Sequence, residues 1–199
     1  MNKEYHHPLY STEYEKYLQS AREMPLKILI LGPARGSPGY EKREEIRNHL
    51  RHSSCYYDVA FEEDFAPVEP GMSENDPYGS IAFRVAISDI IFALTIDHHL
   101  VSGVLSEITY FRNNKSFIER TYVILPKHRG PKRKSSKTPL IWASVRIFPE
   151  RQRCEYTLDE FSHCCMIRDW VAAKADECRL RNRYMEFLRE RGIEPPTPF

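Results

Sequence analysis

The feature that most constrains the fold of this chain is a near-continuous apolar run from Ile90 to Ile96. An apolar run without polar alternation is typical of a parallel strand covered on both faces. Parallel strands need crossover connections, usually helices, and strand-like and helical segments alternate along this chain. We therefore predict an α/β fold: a three-layer α/β/α sandwich with a mostly parallel, Rossmann-like or flavodoxin-like sheet.

The predicted elements follow one another in a simple order. Strands are expected at 26–31, 56–61, 90–96, 121–125 and 140–148, and helices at 12–23, from about 38 to 50, at 81–87 and at 103–113. A Pro- and acid-rich loop fills 62–79, and a long or kinked helix follows a capping box at Thr157 and Glu160. The pattern predicts an N-terminal helical extension (1–24), an α/β domain (25–150) and a C-terminal helical extension packed on it (151–199).

Composition limits the function classes. The chain has 199 residues, with 29 Lys plus Arg against 28 Asp plus Glu, so a main task of coating nucleic acid or an anionic membrane is not expected. No apolar stretch approaches the ~20 residues that cross a bilayer, and the start at Met1 lacks the apolar core of a signal peptide. Five cysteines without framework spacing indicate reduced thiols, so a cytoplasmic location is expected.

The loop after the first strand, Gly32 to Gly39, contains three glycines and Arg35. Its backbone N–H groups are candidates for binding an anion at the start of the next helix. The spacing matches neither the Walker A nor the G-x-G-x-x-G nucleotide motif. A turn that needs positive φ angles explains the glycines equally well.

Glu107 is the strongest candidate for chemistry. We predict that it lies in the first turn of the helix after the Ile90–Ile96 strand, where the helix N-terminus would keep it ionised and able to act as a nucleophile. The alternative is a glutamate that only caps its helix. Asp97, just after the strand, is a candidate second carboxyl that donates a proton or binds hydroxyls, or else an ordinary loop acid.

Three other groups of residues are weaker candidates. His98 and His99 are adjacent, so their side chains diverge in an extended segment and do not form a metal pair. Cys154, His163, Cys164 and Cys165 lack a C-x-x-C pair, and core thiols are the better interpretation. The basic run 132–134 is typical of a solvated loop. No metal or redox cofactor is predicted.

Three segments, L-K-I-L-I-L-G-P-A-R-G, S-D-I-I-F-A-L and S-G-V-L-S-E-I, together resemble the nucleoside 2-deoxyribosyltransferase-like superfamily over roughly residues 26–126. The resemblance implies that Glu107 attacks the anomeric carbon of a nucleoside or nucleotide and forms a glycosyl ester. It also implies that the first loop faces the sugar or a 5′-phosphate. The predicted substrate-binding residues are Gly32, Arg35, Gly36, Ser37, Asp89, Ser102 and Gly103.

The chain departs from that family at two places. Val104 stands where the family often has a threonine after the glycine, and no acid lies between Asp76 and Asp89, where the family usually has one. The acid that recognises the base is therefore expected to be missing, or to come from a neighbouring subunit in a homo-oligomer. The segment before Glu107 also resembles TIR-type domains, some of which cleave NAD with a glutamate in the same helix.

We therefore predict an N-glycoside hydrolase or transferase that acts on a nucleoside or nucleotide, with Glu107 as nucleophile. The alternatives are a TIR-like NAD-cleaving enzyme, a nucleotide-sensing module without turnover, and a protein that binds a partner through its C-terminal helix. The two enzyme classes share one reaction, cleavage of an N-glycosidic bond. No membrane or dedicated nucleic-acid partner is expected.

Overall fold

The structure is a computed structural model that describes residues 15–16, 19–64, 77–95, 102–126, 144–156 and 164–194. Five strands form a single sheet: β1 (Leu26–Leu31), β2 (Tyr57–Phe61), β3 (Ile90–Leu94), β4 (Thr121–Pro126) and β5 (Arg153–Tyr156). Their spatial order is β2-β1-β3-β4-β5, and every neighbouring pair is parallel. This is the flavodoxin-like order of a doubly wound sheet.

Helices cover both faces of this sheet. They are α1 (Tyr40–Ser53), α2 (Pro77–Ile87), α3 (Ser102–Phe111), α4 (Lys115–Arg120) and α5 (Cys164–Glu190). Apolar residues of α1 and α5 pack with one face of the sheet, and those of α2, α3 and α4 pack with the other. The predicted three-layer α/β/α sandwich is confirmed, and all of its paired strands are parallel.

The central strands show why the apolar runs were informative. All five residues of β3 are buried, and in β1 only Lys27 is exposed. Ile28 of β1 pairs with Val59 of β2 on one side and with Ile90 of β3 on the other. Because successive side chains point to opposite faces, a strand between two helical layers must be apolar at both.

The C-terminal part of the sheet differs from the prediction. Residues 144–145 are helical and lead into a turn in which the Phe148 N–H donates to the Val145 carbonyl at 3.1 Å. Val145 and Phe148 are buried, so their apolar character serves the core and not a strand. The last strand is β5, which pairs with β4 through Cys154 and Ile124.

Because β5 belongs to the sheet, the α/β unit extends past the predicted boundary at residue 150. The helix α4 was also not predicted; the Asn114 side chain caps it by accepting from the Phe117 N–H at 2.9 Å. The described residues of the predicted N-terminal helix, 15–16 and 19–22, are helical. Residues 140–143 of the predicted last strand lie outside the described part of the chain.

Candidate functional site

The strand order identifies the carboxyl ends of β1 and β3 as the candidate ligand-binding edge. In a doubly wound sheet, ligands bind where the strand order reverses, which here lies between these two strands. The Gly32–Gly39 loop leaves β1 at this point, and the 3₁₀ turn Glu62–Asp64 follows β2 beside it. The helix α3, which carries Glu107, follows β3.

The first loop is held by its own hydrogen bonds and by two glycines with positive φ. Gly36 has φ 81° and Gly39 has φ 89°, so the turn interpretation of these glycines is correct. Ser37 donates from its hydroxyl to the Ala34 carbonyl at 2.5 Å. The backbone N–H of exposed Arg35 donates to Glu63 Oε1 at 3.3 Å, so this loop amide already binds a carboxylate.

Arg43, on α1, is the fully buried cation beneath this loop. Its guanidinium donates twice to the Ile30 carbonyl, at 3.1 and 2.7 Å, and once to the Pro33 carbonyl at 3.0 Å. It forms ion pairs with Glu62 and, at 3.0 Å, with Glu63. A Cβ on Gly32 would lie 3.1 Å from Arg43 Cδ, so the glycine makes room for the arginine.

Glu107 faces this charged cluster. Its Oε2 atom is buried and has no hydrogen-bond partner among the described residues. Burial raises the pKa of Glu107 to about 8, and the charge of Glu62 adds to the increase while Arg43 opposes it. An unpartnered carboxyl with a perturbed pKa at a ligand-binding edge marks a candidate site.

Two expectations about Glu107 were wrong. The helix α3 begins at Ser102, so Glu107 is beyond the first turn and caps nothing. The raised pKa also means that the carboxyl is largely protonated at pH 7, instead of being kept ionised by the helix N-terminus. The influence of the helix dipole declines within the first turn, so burial and the neighbouring carboxylate dominate.

Two further charged residues belong to the cluster. Burial raises the pKa of Glu62 to about 7, although its ion pair with Arg43 acts in the opposite direction. Arg84, buried near the end of α2, lies within electrostatic range of Glu62 and Glu63; burial lowers its pKa. The cluster therefore combines two arginines with three glutamates in surroundings of low polarity.

Asp89 is not part of this site, and its predicted role in binding substrate is corrected. It precedes β3 and so lies at the amino end of the sheet. Its Oδ2 accepts from the Lys27 N–H at 3.0 Å, and its Oδ1 accepts from Arg181 at 2.9 Å and from Asn182 at 3.0 Å. These bonds attach β3 to β1 and to α5, which is a structural role.

The remaining predicted residues lie in three parts of the chain: the first loop, the start of α3, and a segment outside the described residues. Gly32, Arg35, Gly36 and Ser37 lie in the loop at the carboxyl end of β1, and Ser102 and Gly103 begin α3. Gly103 is exposed, and a Cβ there would meet no atom within 4 Å. Asp97, His98 and His99 lie outside the described residues.

Sequence reasoning missed Arg43, Glu62, Glu63 and Arg84. One signal was present for Arg43, which precedes the core residues Ile46 and Leu50 by three and seven positions and so shares their helix face. A charged residue on an apolar helix face requires partners. The partners of Arg43 come from elements distant in sequence, so the pattern did not identify them.

Among the described residues, no group of three His, Cys, Asp or Glu side chains is arranged to hold a metal ion. None of the described helices is both long enough and apolar enough to span a bilayer.

No protein-family model matches the sequence, and no curated protein matches it either. A conserved protein from Enterococcus faecalis V583, known from its crystal structure, is similar in fold with a TM-score of 0.44 and 12% identity. The match covers 77% of this chain and 98% of that one.

Proposed function

We propose that this protein is an N-glycoside hydrolase or transferase that acts on a nucleoside or nucleotide, with Glu107 attacking the anomeric carbon. The observation that carries the proposal is the buried Oε2 atom of Glu107, which has no hydrogen-bond partner within the described ranges and lies at the edge where parallel sheets bind ligands. A structural carboxyl would be expected to have its oxygens satisfied. An unsatisfied one is available to react.

The chemistry of glycoside cleavage suits such a group. The transition state resembles an oxocarbenium ion, so a nearby carboxylate stabilises the positive charge and can then form a glycosyl ester. The base leaves with the electrons of the N-glycosidic bond, and water or an acceptor base then displaces Glu107. Glu62 is our candidate base for the water that displaces Glu107, because its pKa of about 7 lets it accept a proton near the working pH.

The raised pKa of Glu107 predicts how the activity changes with pH. A nucleophile must be ionised, so kcat/KM should increase with pH as the carboxyl loses its proton near pH 8. A pH–rate profile of the free enzyme measures this directly. An activity that decreases through the same range would contradict the nucleophile role and indicate that Glu107 donates a proton.

The first experiment combines a substrate panel with substitutions. Nucleosides, nucleoside 5′-monophosphates and NAD are incubated with the protein, and released base or nicotinamide is measured by mass spectrometry. Glu107→Gln and Glu107→Ala should each lower the activity by about 10³-fold, equivalent to ~4 kcal/mol of transition-state stabilisation. The control is Glu45→Gln, the same change at a half-exposed glutamate of α1.

The results of this experiment distinguish a nucleophilic Glu107 from the alternative functions. Full activity in both Glu107 variants would remove the nucleophile role, and release of nicotinamide alone would favour the TIR-like alternative. If wild-type protein releases no base from any member of the panel, the enzyme proposal fails.

A nucleotide-sensing module is the second candidate function, and one observation favours it. With a pKa of about 8, Glu107 is mostly neutral at pH 7 and is suited to donating a hydrogen bond to a ligand. Calorimetry that shows tight nucleotide binding without product would support this function. Homo-oligomerisation and a cytoplasmic location stay predictions from the sequence.

A further inference from the structure

A cavity lies at the amino end of the sheet, and Glu107 is not among the residues that line it. It has a volume of about 560 Å³ and is lined by residues of α4, the 3₁₀ turn Glu150–Gln152, α5 and the start of β3. We call it the amino-end pocket. Its volume falls in the range of sites for small organic molecules, which is roughly 300–1,000 Å³.

The acidic side chains of the pocket lining already have cationic partners. Asp89 pairs with Arg181 at 2.9 Å, and Glu177 pairs with Lys174 at 2.7 Å. Glu119 forms an exposed pair with Lys115, outside the pocket, at 3.7 Å. Among the described residues, the other two cations of the lining, Arg120 and Arg151, form no ion pair of their own, although Asp89 lies within electrostatic range of Arg120.

Arg120 is the central cation of the pocket and is half-buried. It donates to the backbone carbonyls of Ser116, at 3.0 Å, and Ser88. Burial and, after it, the neighbouring charge of Arg181 lower the pKa of Arg120, while Asp89 acts in the opposite direction. A half-buried cation that is repelled by a second arginine favours an incoming anion.

One wall of the pocket is aromatic. Trp170 is half-buried; its ring packs edge-on against Phe92 at 5.7 Å and, tilted, against Tyr122 at 4.9 Å. These contacts fix the indole, and the same residue lines the cavity. A fixed indole beside a cation suits a ligand that has both a flat apolar body and a charged group.

We propose that the amino-end pocket binds a small organic anion, whose phosphate or carboxylate group contacts Arg120 and whose flat body lies against Trp170. The pocket shares no residue with the Glu107 cluster, so this proposal does not depend on the proposed enzyme activity. Arg151, exposed in the 3₁₀ turn, provides a second positive charge at the pocket.

The test uses phenyl phosphate, benzoate and the neutral analogue benzamide, each titrated into the full chain by calorimetry. Phenyl phosphate or benzoate should bind, and the stronger of the two identifies the anionic group; benzamide should bind at least tenfold more weakly. Arg120→Gln should weaken anion binding by roughly 10-fold or more, since a charged hydrogen bond is lost. Arg112→Gln, the same change at an exposed arginine that does not line the pocket, should leave it unchanged.

Two further variants test anion binding in the pocket without changing Arg120, in case Arg120→Gln folds poorly. Arg151→Gln, at an exposed residue, should weaken binding a few-fold. Trp142→Phe leaves Trp170 as the sole tryptophan of the chain, and its fluorescence should change with anion concentration. No anion binding at millimolar concentration, equal binding in the arginine variants, or loss of binding in Glu107→Gln would each overturn the proposal.

Discussion

Asp89, which precedes β3, and Glu107, in the helix that follows it, are carboxyl groups in opposite environments. At the amino end, Asp89 accepts hydrogen bonds on both oxygens from Lys27, Arg181 and Asn182. At the carboxyl end, Glu107 has a buried oxygen with no partner in the described part of the chain. The first carboxyl connects elements of the fold, and the second is available to a ligand.

The arginines at the two ends of the sheet differ in how deeply they are buried. Arg43 is fully buried and joins the strand end, the first loop and two glutamates. Arg181 is half-exposed and pairs with Asp89 from the surface of α5. Similar ion pairs therefore have different energetic weight, because burial decides how much an unpaired charge costs.

The largest expected effect on stability comes from removing these cations in turn. Arg43→Met should lower the free energy of unfolding by about 3–5 kcal/mol, because it leaves carboxylates and two backbone carbonyls without their donor. Arg181→Met should cost about 1 kcal/mol or less, since solvent replaces a half-exposed partner. Urea unfolding measures both. Equal losses of unfolding free energy in the two variants would mean that burial does not distinguish the two arginines.

A second prediction concerns the pH dependence of stability. The pKa of Glu107 is about 8 in the folded state, against an ordinary value of 4.5. Its stabilising contribution is therefore complete below pH 4.5 and is lost as the pH increases to 8, by up to ~1.4 kcal/mol per pH unit. Glu62, with a pKa of about 7, acts in the same direction.

Glu107→Gln should accordingly flatten the decline of the unfolding free energy between pH 5 and pH 8. Urea unfolding at a series of pH values provides the measurement. Asp89→Asn is the matched control, and it should lower stability by about 1–2 kcal/mol while retaining the decline. A decline that persists unchanged in Glu107→Gln would show that burial does not perturb this carboxyl.

A smaller effect is expected where the first loop meets Arg43. In Gly32→Ala, the new Cβ would lie 3.1 Å from Arg43 Cδ and 3.5 Å from the Cβ of Leu94. The arginine must shift, so we expect a loss of about 1–2 kcal/mol in the free energy of unfolding. In the double variant with Arg43→Ala, the two losses should not add, because alanine removes the crowded Cδ atom. Strict additivity would contradict this contact.

The sequence was sufficient for the central strands but not for the edge of the sheet. The strands β1 and β3 are buried on both faces, which imposes an apolar run that is visible without any tertiary information. The four residues of β5 alternate Arg, Cys, Glu and Tyr at an edge, and so give little signal. Its assignment depends on pairing with β4, a long-range contact.

The candidate site was predictable in position but not in its electrostatics. The order of strand and helix placed Glu107 at the carboxyl end of β3, where the structure has it. The sign of its pKa shift was wrong, because burial and the charge of Glu62 depend on how α3 packs beside the Glu62–Asp64 turn. Asp89 was assigned to the crevice although it precedes the strand and therefore belongs to the opposite end.

The smallest expected effect on stability is that of Gly103→Ala. This variant tests whether the proposed substrate site reaches the start of α3. A Cβ at Gly103 would meet no atom within 4 Å, so Gly103→Ala should leave stability unchanged or raise it by up to ~1 kcal/mol. If the proposed sugar approaches the start of α3, the added methyl group should raise KM several-fold in the base-release assay. An unchanged KM would remove Gly103 from the substrate contacts and leave the argument for Glu107 intact, because that argument depends on the buried oxygen deeper in the same helix.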